Sequence, residues 1–211
     1  MPKKKNYFVT FEGIEGSGKS YQSRKLFNKV KKKKIPIIFT REPGGSKSAE
    51  IIRRIILTGS KNKFNEMTDM LLYMASRNEH VEKTLLPALN KKKNIICDRF
   101  IDSTLAYQVY GKGVNKSLVS LIHKNILVNL KPDLTIILKV NMKKAFQRIK
   151  KKKIINRYDK FPKSFYKKVQ KAFLLLAKKN KKRYFVIDNS KDTKETENII
   201  FKKYMKLLKN E

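Results

Sequence analysis

Gly13-Ile14-Glu15-Gly16-Ser17-Gly18-Lys19-Ser20 reads GxxxxGK[ST], and it stands between an apolar run, Tyr7 to Phe11, and a segment of helical spacing, Lys19 to Lys32. Strand, glycine loop and helix in that order are the context in which this spacing has a physical meaning. The glycines let successive backbone N–H groups curl around a phosphate, and the helix N-terminus adds partial positive charge. Lys19 then reaches the β- and γ-phosphates, and the Ser20 hydroxyl is placed to ligate Mg²⁺. All eight residues are candidate ATP- or GTP-binding positions. What receives a phosphoryl group is left open by this motif.

Working outward, short β-branched and aromatic runs alternate with longer helical segments, the layout of a parallel sheet with crossover helices. The expected strands are Tyr7 to Phe11, Ile35 to Thr40, Asn94 to Asp98, Leu134 to Val140 and Tyr184 to Ile187. The expected helices are Lys19 to Lys32, Ser46 to Leu57, Asn65 to Asn90, Ser103 to Tyr110, Lys116 to Asn129, Met142 to Lys151, Lys163 to Lys179 and Lys194 to Leu208. The fold class is therefore α/β, a five-stranded parallel sheet flanked by helices. No repeat or Gly/Ser/Pro linker divides the chain, so residues 1–211 read as a single domain. Lys150 to Asp159 is lysine-rich with little apolar periodicity, a surface loop, and the region of about 148–159 is the candidate for a short mobile lid.

Further groups gather where an open α/β sheet binds its ligands, beyond the carboxyl ends of the strands. Asp98-Arg99 closes the third strand: the carboxylate can hold the hydration shell of Mg²⁺, and the guanidinium can neutralise phosphate. Thr40-Arg41-Glu42-Pro43-Gly44-Gly45 signals a tight turn that could aim Arg41 into the same crevice, or merely expose it. Tyr73 and Arg77 lie four apart on one helix face and could clamp a planar ring, although alone they read as core and surface. Asp102 suits a helix N-cap, with Thr104 and Gln108 on the face behind it. His80 and His123 lack metal-ligand spacing to other Cys or His, and no nucleophile elbow is present.

The chain carries 52 Lys plus Arg against 17 Asp plus Glu, a formal charge of +35, and only nine of the cations are Arg. Such a charge attracts polyanions in a salt-dependent way. Lysine-dominated excess beside abundant Asn, Ile, Phe and Tyr is also what A/T-rich codons produce, and specific nucleic-acid readers favour Arg. Nucleic-acid binding is accordingly expected to be at most non-specific. Cys97, the single cysteine, sits in an apolar run and reads as a buried structural thiol. Membrane-length apolar runs and a signal-peptide pattern are absent, so a cytoplasmic protein is expected.

Taken together, Phe11 to Ser20, Thr40 to Gly45, Tyr73-Met74-Ala75-Ser76-Arg77, Asp98 to Gln108 and Lys131-Pro132-Asp133-Leu134-Thr135 closely resemble the bacterial thymidylate kinases, nearly end to end. The resemblance implies a P-loop kinase fold, a homodimer, and transfer of the ATP γ-phosphoryl to dTMP with Mg²⁺. It places Glu15 near the deoxyribose 3′-hydroxyl, Arg41 and Arg99 on the dTMP phosphate, and Tyr73 against thymine. Arg77 and Thr104 would meet the base edge, Gln108 and Tyr107 would complete the pocket, and Arg53 would line the acceptor side. Ser20 and Asp98 become the metal-site candidates. The phosphate loop holds no Arg, which resembles the lid-dependent branch of the family, so a catalytic cation is expected from Arg148, Lys152 or Arg157, beside Lys19, Arg41 and Arg99. Tyr73 stands where relatives usually have Phe, and lysines fill the middle of the lid. Another nucleoside monophosphate kinase and a polyanion-binding protein are the competing readings.

Overall fold

The computed structural model describes residues 6–191 and 194–209. The elements run β1 (Phe8–Glu12), α1 (Lys19–Lys32), β2 (Ile37–Arg41), α2 (Lys47–Leu57), α3 (Glu66–His80), α4 (Leu86–Asn90) and β3 (Asn94–Asp98). Then follow α5 (Ile101–Thr104), α6 (Lys116–Leu127), β4 (Leu134–Lys139), α7 (Met142–Lys150), α8 (Lys163–Lys179), β5 (Tyr184–Asp188) and α9 (Lys194–Lys209). The five strands form one parallel sheet in the order β2-β3-β1-β4-β5.

Both sheet faces are covered, which is why β1 and β3 are apolar with little alternation and buried along their whole length. Val9, Phe11, Ile96, Ile136 and Leu138 pack on one side against Leu26 and Val30 of α1 and Ile200 and Tyr204 of α9. Phe8, Ile95 and Cys97 face the other way, against Val81, Leu85, Ala88 and Leu127. Cys97 is a buried thiol, as expected. β1 leads leftward to β2 and β3, and the chain then crosses to β4, so the topological switch lies beside β1. In register, Phe11 and Arg41 each pair with Asp98. The rim therefore presents the phosphate loop, Arg41 and Asp98-Arg99 side by side.

The structure departs from the sequence expectations at four places. The expected helix Asn65 to Asn90 is interrupted by a π-helical turn, Val81–Leu85, upstream of Pro87, whose ring has no N–H to continue the ordinary ladder. The expected helix Ser103 to Tyr110 is one turn, α5, running into a π-helical stretch, Leu105–Gly111. Asp102 is not its N-cap. Asp102 is buried and accepts from Arg183 and from the Tyr184 hydroxyl at 2.6 Å, while Glu12 takes over the capping. Glu12 accepts from the Phe100 N–H at 2.8 Å, the Ser103 N–H at 3.3 Å and the Ser103 hydroxyl at 2.6 Å. Finally, the surface loop is narrower than 148–159. Arg148 belongs to α7, and Arg157–Lys160 form a 3-10 turn whose first three residues are buried. An Asn156–Asp159 capping box closes that turn, and Tyr158 enters an aromatic cluster, burial that outweighs the polarity of the flanking lysines.

Candidate active site

The phosphate loop is held from behind. Its carbonyls are occupied by protein donors: Arg99 on Gly13 (2.9 Å), Lys19 on Ile14 (3.2 Å), Arg148 on Gly16 (3.0 Å) and the Asn189 amide on Ser17 (2.7 Å). The Ser17 N–H closes on the Ile14 carbonyl at 3.2 Å, and with these carbonyls engaged by the protein the loop leaves its remaining N–H groups for an anion. Gly16 (φ 73°) and Gly18 (φ 86°) supply left-handed backbone that other residues resist. The Ile14 side chain is buried in the core and contributes shape rather than contact.

A cleft opens in front of this loop. It is lined by Glu15, Lys19, Ser20, Arg41, Arg53, Tyr73, Asp98, Arg99, Thr104, Tyr107, Gln108 and Lys152, twelve of the positions expected from sequence, now brought together from six separate segments. Burial, followed by the neighbouring Arg99, pulls Lys19 down to about 8 against the attraction of Glu15 and Asp98. Burial works against the Glu15 carboxylate, but Arg99 and Lys19 outweigh it and hold it below its ordinary value. Glu15 accepts from Arg99 at 2.8 Å and from the Tyr107 hydroxyl, so it is an ionised, oriented acceptor. Arg99, in left-handed backbone (φ 72°), also reaches Ser103 at 3.0 Å and Tyr107 at 3.2 Å. Burial opposes its charge, but Tyr107 and Glu15 keep it firmly protonated.

Arg41 and Arg53 edge the mouth. Arg41 pairs with Glu50 at 3.0 Å, both half-exposed, and Arg53 donates to the Pro43 carbonyl at 2.6 Å. The Ser20 hydroxyl donates to Asp98 Oδ2, while Asp98 Oδ1 is buried without a protein partner. An orphaned carboxylate oxygen beside a hydroxyl fits a hydrated divalent cation, which needs only one or two protein ligands. Among the described residues, no group of three or more His, Cys, Asp and Glu could form an all-protein metal cage.

Outside the phosphate loop, three expected residues do not line the cleft. Arg77 is 2% exposed and sits behind its wall, donating to Glu42 (2.8 Å) and Thr104 (2.8 Å) and bonded to His123 Nε2 (2.6 Å). Burial, then Arg77 itself, pushes His123 down to about 3, so its neutral ring accepts. Arg77 thus touches the cleft through Thr104. Arg148 braces the loop and the Asn189 carbonyl. Arg157 is fully buried against Asp69 and the Ile56 carbonyl. Of the three lid cations, Lys152 faces the cleft, 2.5 Å from Asp159.

Sequence reasoning missed Arg24, Glu42, Asn156 and Tyr158, which also line the cleft. The Asn156–Asp159 spacing was a legible cap signal. Tyr158 carried none, because its place follows from edge contacts with Tyr73 (6.0 Å) and Tyr107 (5.9 Å), residues remote in sequence.

The family model for thymidylate kinase matches residues 11–200, which contain every cleft residue named above. The chain belongs to the thymidylate kinase family. Thymidylate kinase of Onion yellows phytoplasma (strain OY-M) is 43% identical over 199 residues, covering 93% of this chain and 95% of the relative. That of Mycoplasma capricolum subsp. capricolum is 40% identical over 204 residues, covering 96% of each. A crystal structure of thymidylate kinase from Ehrlichia chaffeensis superposes with a TM-score of 0.74 at 33% identity, covering 97% of this chain and 99% of that one. The thymidylate kinase fold, with its five-stranded parallel sheet flanked by helices, is the one observed here.

Proposed function

We propose that this chain transfers the γ-phosphoryl group of ATP to dTMP, giving dTDP, in the supply of dTTP. The observation that carries the reading is that a phosphate loop and a separate set of acceptor groups share one cleft, within a chain of the thymidylate kinase family. Lys19 and the loop N–H groups would hold the donor phosphates. Arg41 and Arg99 would hold the dTMP phosphate, Tyr73 would stack on thymine, and Thr104 and Gln108 would meet its edge. Arg77 would act through Thr104, Glu15 would accept from the 3′-hydroxyl, and Tyr107 would fix Glu15. Ser20 and Asp98 would hold Mg²⁺, which would supply charge neutralisation at the donor phosphates.

The dTMP phosphate is already an anionic nucleophile at neutral pH, so the protein's work is alignment and charge stabilisation. Lys152 is the lid cation best placed for that work, with Arg148 and Arg157 supporting the loop and the lid from behind. We read the chain as one domain whose lid, the exposed loop lying within residues 148–159, excludes water over the transferring group. Ile51 and Ile55 of α2 and Met67 and Leu71 of α3 form an exposed apolar face on two packed helices, which supports a homodimer through this face. Among the described residues no helix is long and apolar enough to cross a membrane, in keeping with a cytoplasmic enzyme. Nucleic-acid binding, if measured, would be a non-specific consequence of the +35 charge.

The test is ADP release with ATP and Mg²⁺, offering dTMP, dUMP, UMP, dCMP, CMP, AMP and GMP separately, with Lys19→Ala as the blank. Turnover of dTMP far above the others is expected. Preference for another monophosphate would overturn the acceptor assignment, and no turnover above the blank would overturn the kinase reading.

A further inference from the structure

Asp69 lies on α3, one helical turn before Tyr73, and is wholly buried. Three side chains from two other segments close on its carboxylate. Lys112 donates from the end of the π-helical stretch at 2.8 Å, and the Tyr158 hydroxyl donates at 2.5 Å. The Arg157 guanidinium abuts the other oxygen. Two consecutive lid residues thus grip one carboxylate that belongs to the helix carrying the base-stacking tyrosine. The next residue, Asp159, holds Lys152 at 2.5 Å, and Lys152 faces the cleft. A fixed path runs from α3 through Arg157 and Tyr158 to Asp159 and the cation. Between α7 and Asn156 the intervening loop is largely exposed, with Ile154 84% exposed. It holds Lys152 by few contacts of its own, so the cation's position is set from its far end.

We propose that Asp69 is a positioning residue: it clamps the base of the lid to α3 so that Asp159 presents Lys152 to the transferring phosphoryl. This rests on the reading of Lys152 as the lid cation. A charge misplaced by about 1 Å costs on the order of 10²-fold in rate, so loosening the clamp acts on kcat rather than on ATP binding.

The experiment is a double-mutant cycle of Asp69→Asn and Lys152→Met in the full chain, with kcat and both KM values measured. Because the chain contains no Trp, Ile154→Trp in a parallel set serves as a single fluorescence reporter of lid order. Lys152→Met is expected to lower kcat by about 10²-fold. Asp69→Asn is expected to lower it by roughly 10- to 100-fold with KM for ATP unchanged, to add nothing further in the Lys152→Met background, and to lower the reporter's anisotropy. Tyr158→Phe, which removes one donor and keeps the ring, should reproduce the effect in milder form and keeps the test alive if Asp69→Asn does not fold. Multiplicative losses in the double variant, or unchanged anisotropy, would overturn the clamp while leaving the lid-cation reading standing. Wild-type kcat in Lys152→Met would instead overturn the lid-cation reading, and this proposal with it.

Discussion

Arg41 and Arg77 carry the same charge to the same corner of the molecule but are held by energies of different size. Arg41 pairs with Glu50 where both are half-exposed, and such pairs contribute about 0–1 kcal/mol, so an incoming phosphate can displace Glu50. Arg77 pairs with Glu42 where both are buried, and removing one partner of such a pair costs about 3–5 kcal/mol. Arg41→Ala is therefore expected to leave stability within about 1 kcal/mol while raising KM for dTMP by at least about tenfold, the weight of one charge-assisted contact. Arg77→Ala should lose about 3–5 kcal/mol in urea unfolding before any effect on substrate is considered. An Arg77→Ala protein as stable as wild type would refute the buried-pair account. The sequence made both arginines site candidates, through the resemblance that Thr40 to Gly45 and Tyr73 to Arg77 carry. It could not show which guanidinium is free, since Glu42, Thr104 and His123 reach Arg77 only after the chain has folded.

At the scale of elements, the strand, glycine loop and helix around Gly13 to Ser20 were legible because every cause of their shape is local: an apolar strand, glycines where φ is positive, and a helix following at once. The loop's seat was not legible. Gly16 lies against the backbone of Ala145 in α7, so an added Cβ would strike the Ala145 carbonyl, and its positive φ strains any replacement. Gly16→Ala is expected to lift the loop from α7 and weaken ATP binding at least about tenfold, on the order of 1.4 kcal/mol. Binding of dTMP, measured separately by calorimetry, should change little. Equal losses for both ligands would contradict a loop-local effect. The misassigned ends share one origin. Glu12, on β1, caps α5 from about ninety positions away, and Tyr158 is drawn into the core by Tyr107, so non-local partners overrode good local signals at Asp102 and in the lysine-rich lid.

For the whole molecule, the fold class and the five parallel strands follow from short apolar runs alternating with helical segments, and that much could be read from the sequence. The apolar face of Ile51, Ile55, Met67 and Leu71 could not, because their helical periods do not say which side meets the sheet. Leu71, exposed here, lies on that face, and Leu71→Asp is expected to shift sedimentation toward the monomer by placing a charge in the proposed contact. A wild-type chain that sediments as a monomer at micromolar concentration would remove the dimer. Cys97 has a different use at this scale. It is the only thiol in the chain, lies in β3 beside Asp98, is fully buried, and donates to the Arg99 carbonyl at 3.0 Å. Burial, with Glu42 and Asp98 nearby, pushes its ionisation well above the ordinary range, so a folded molecule is inert to alkylation. Labelling then waits for the middle of the sheet to open, and its rate counts the rare molecules that have done so. Nature has thereby placed a clock in the strand that also carries Asp98: any nucleotide that tightens that rim should slow it.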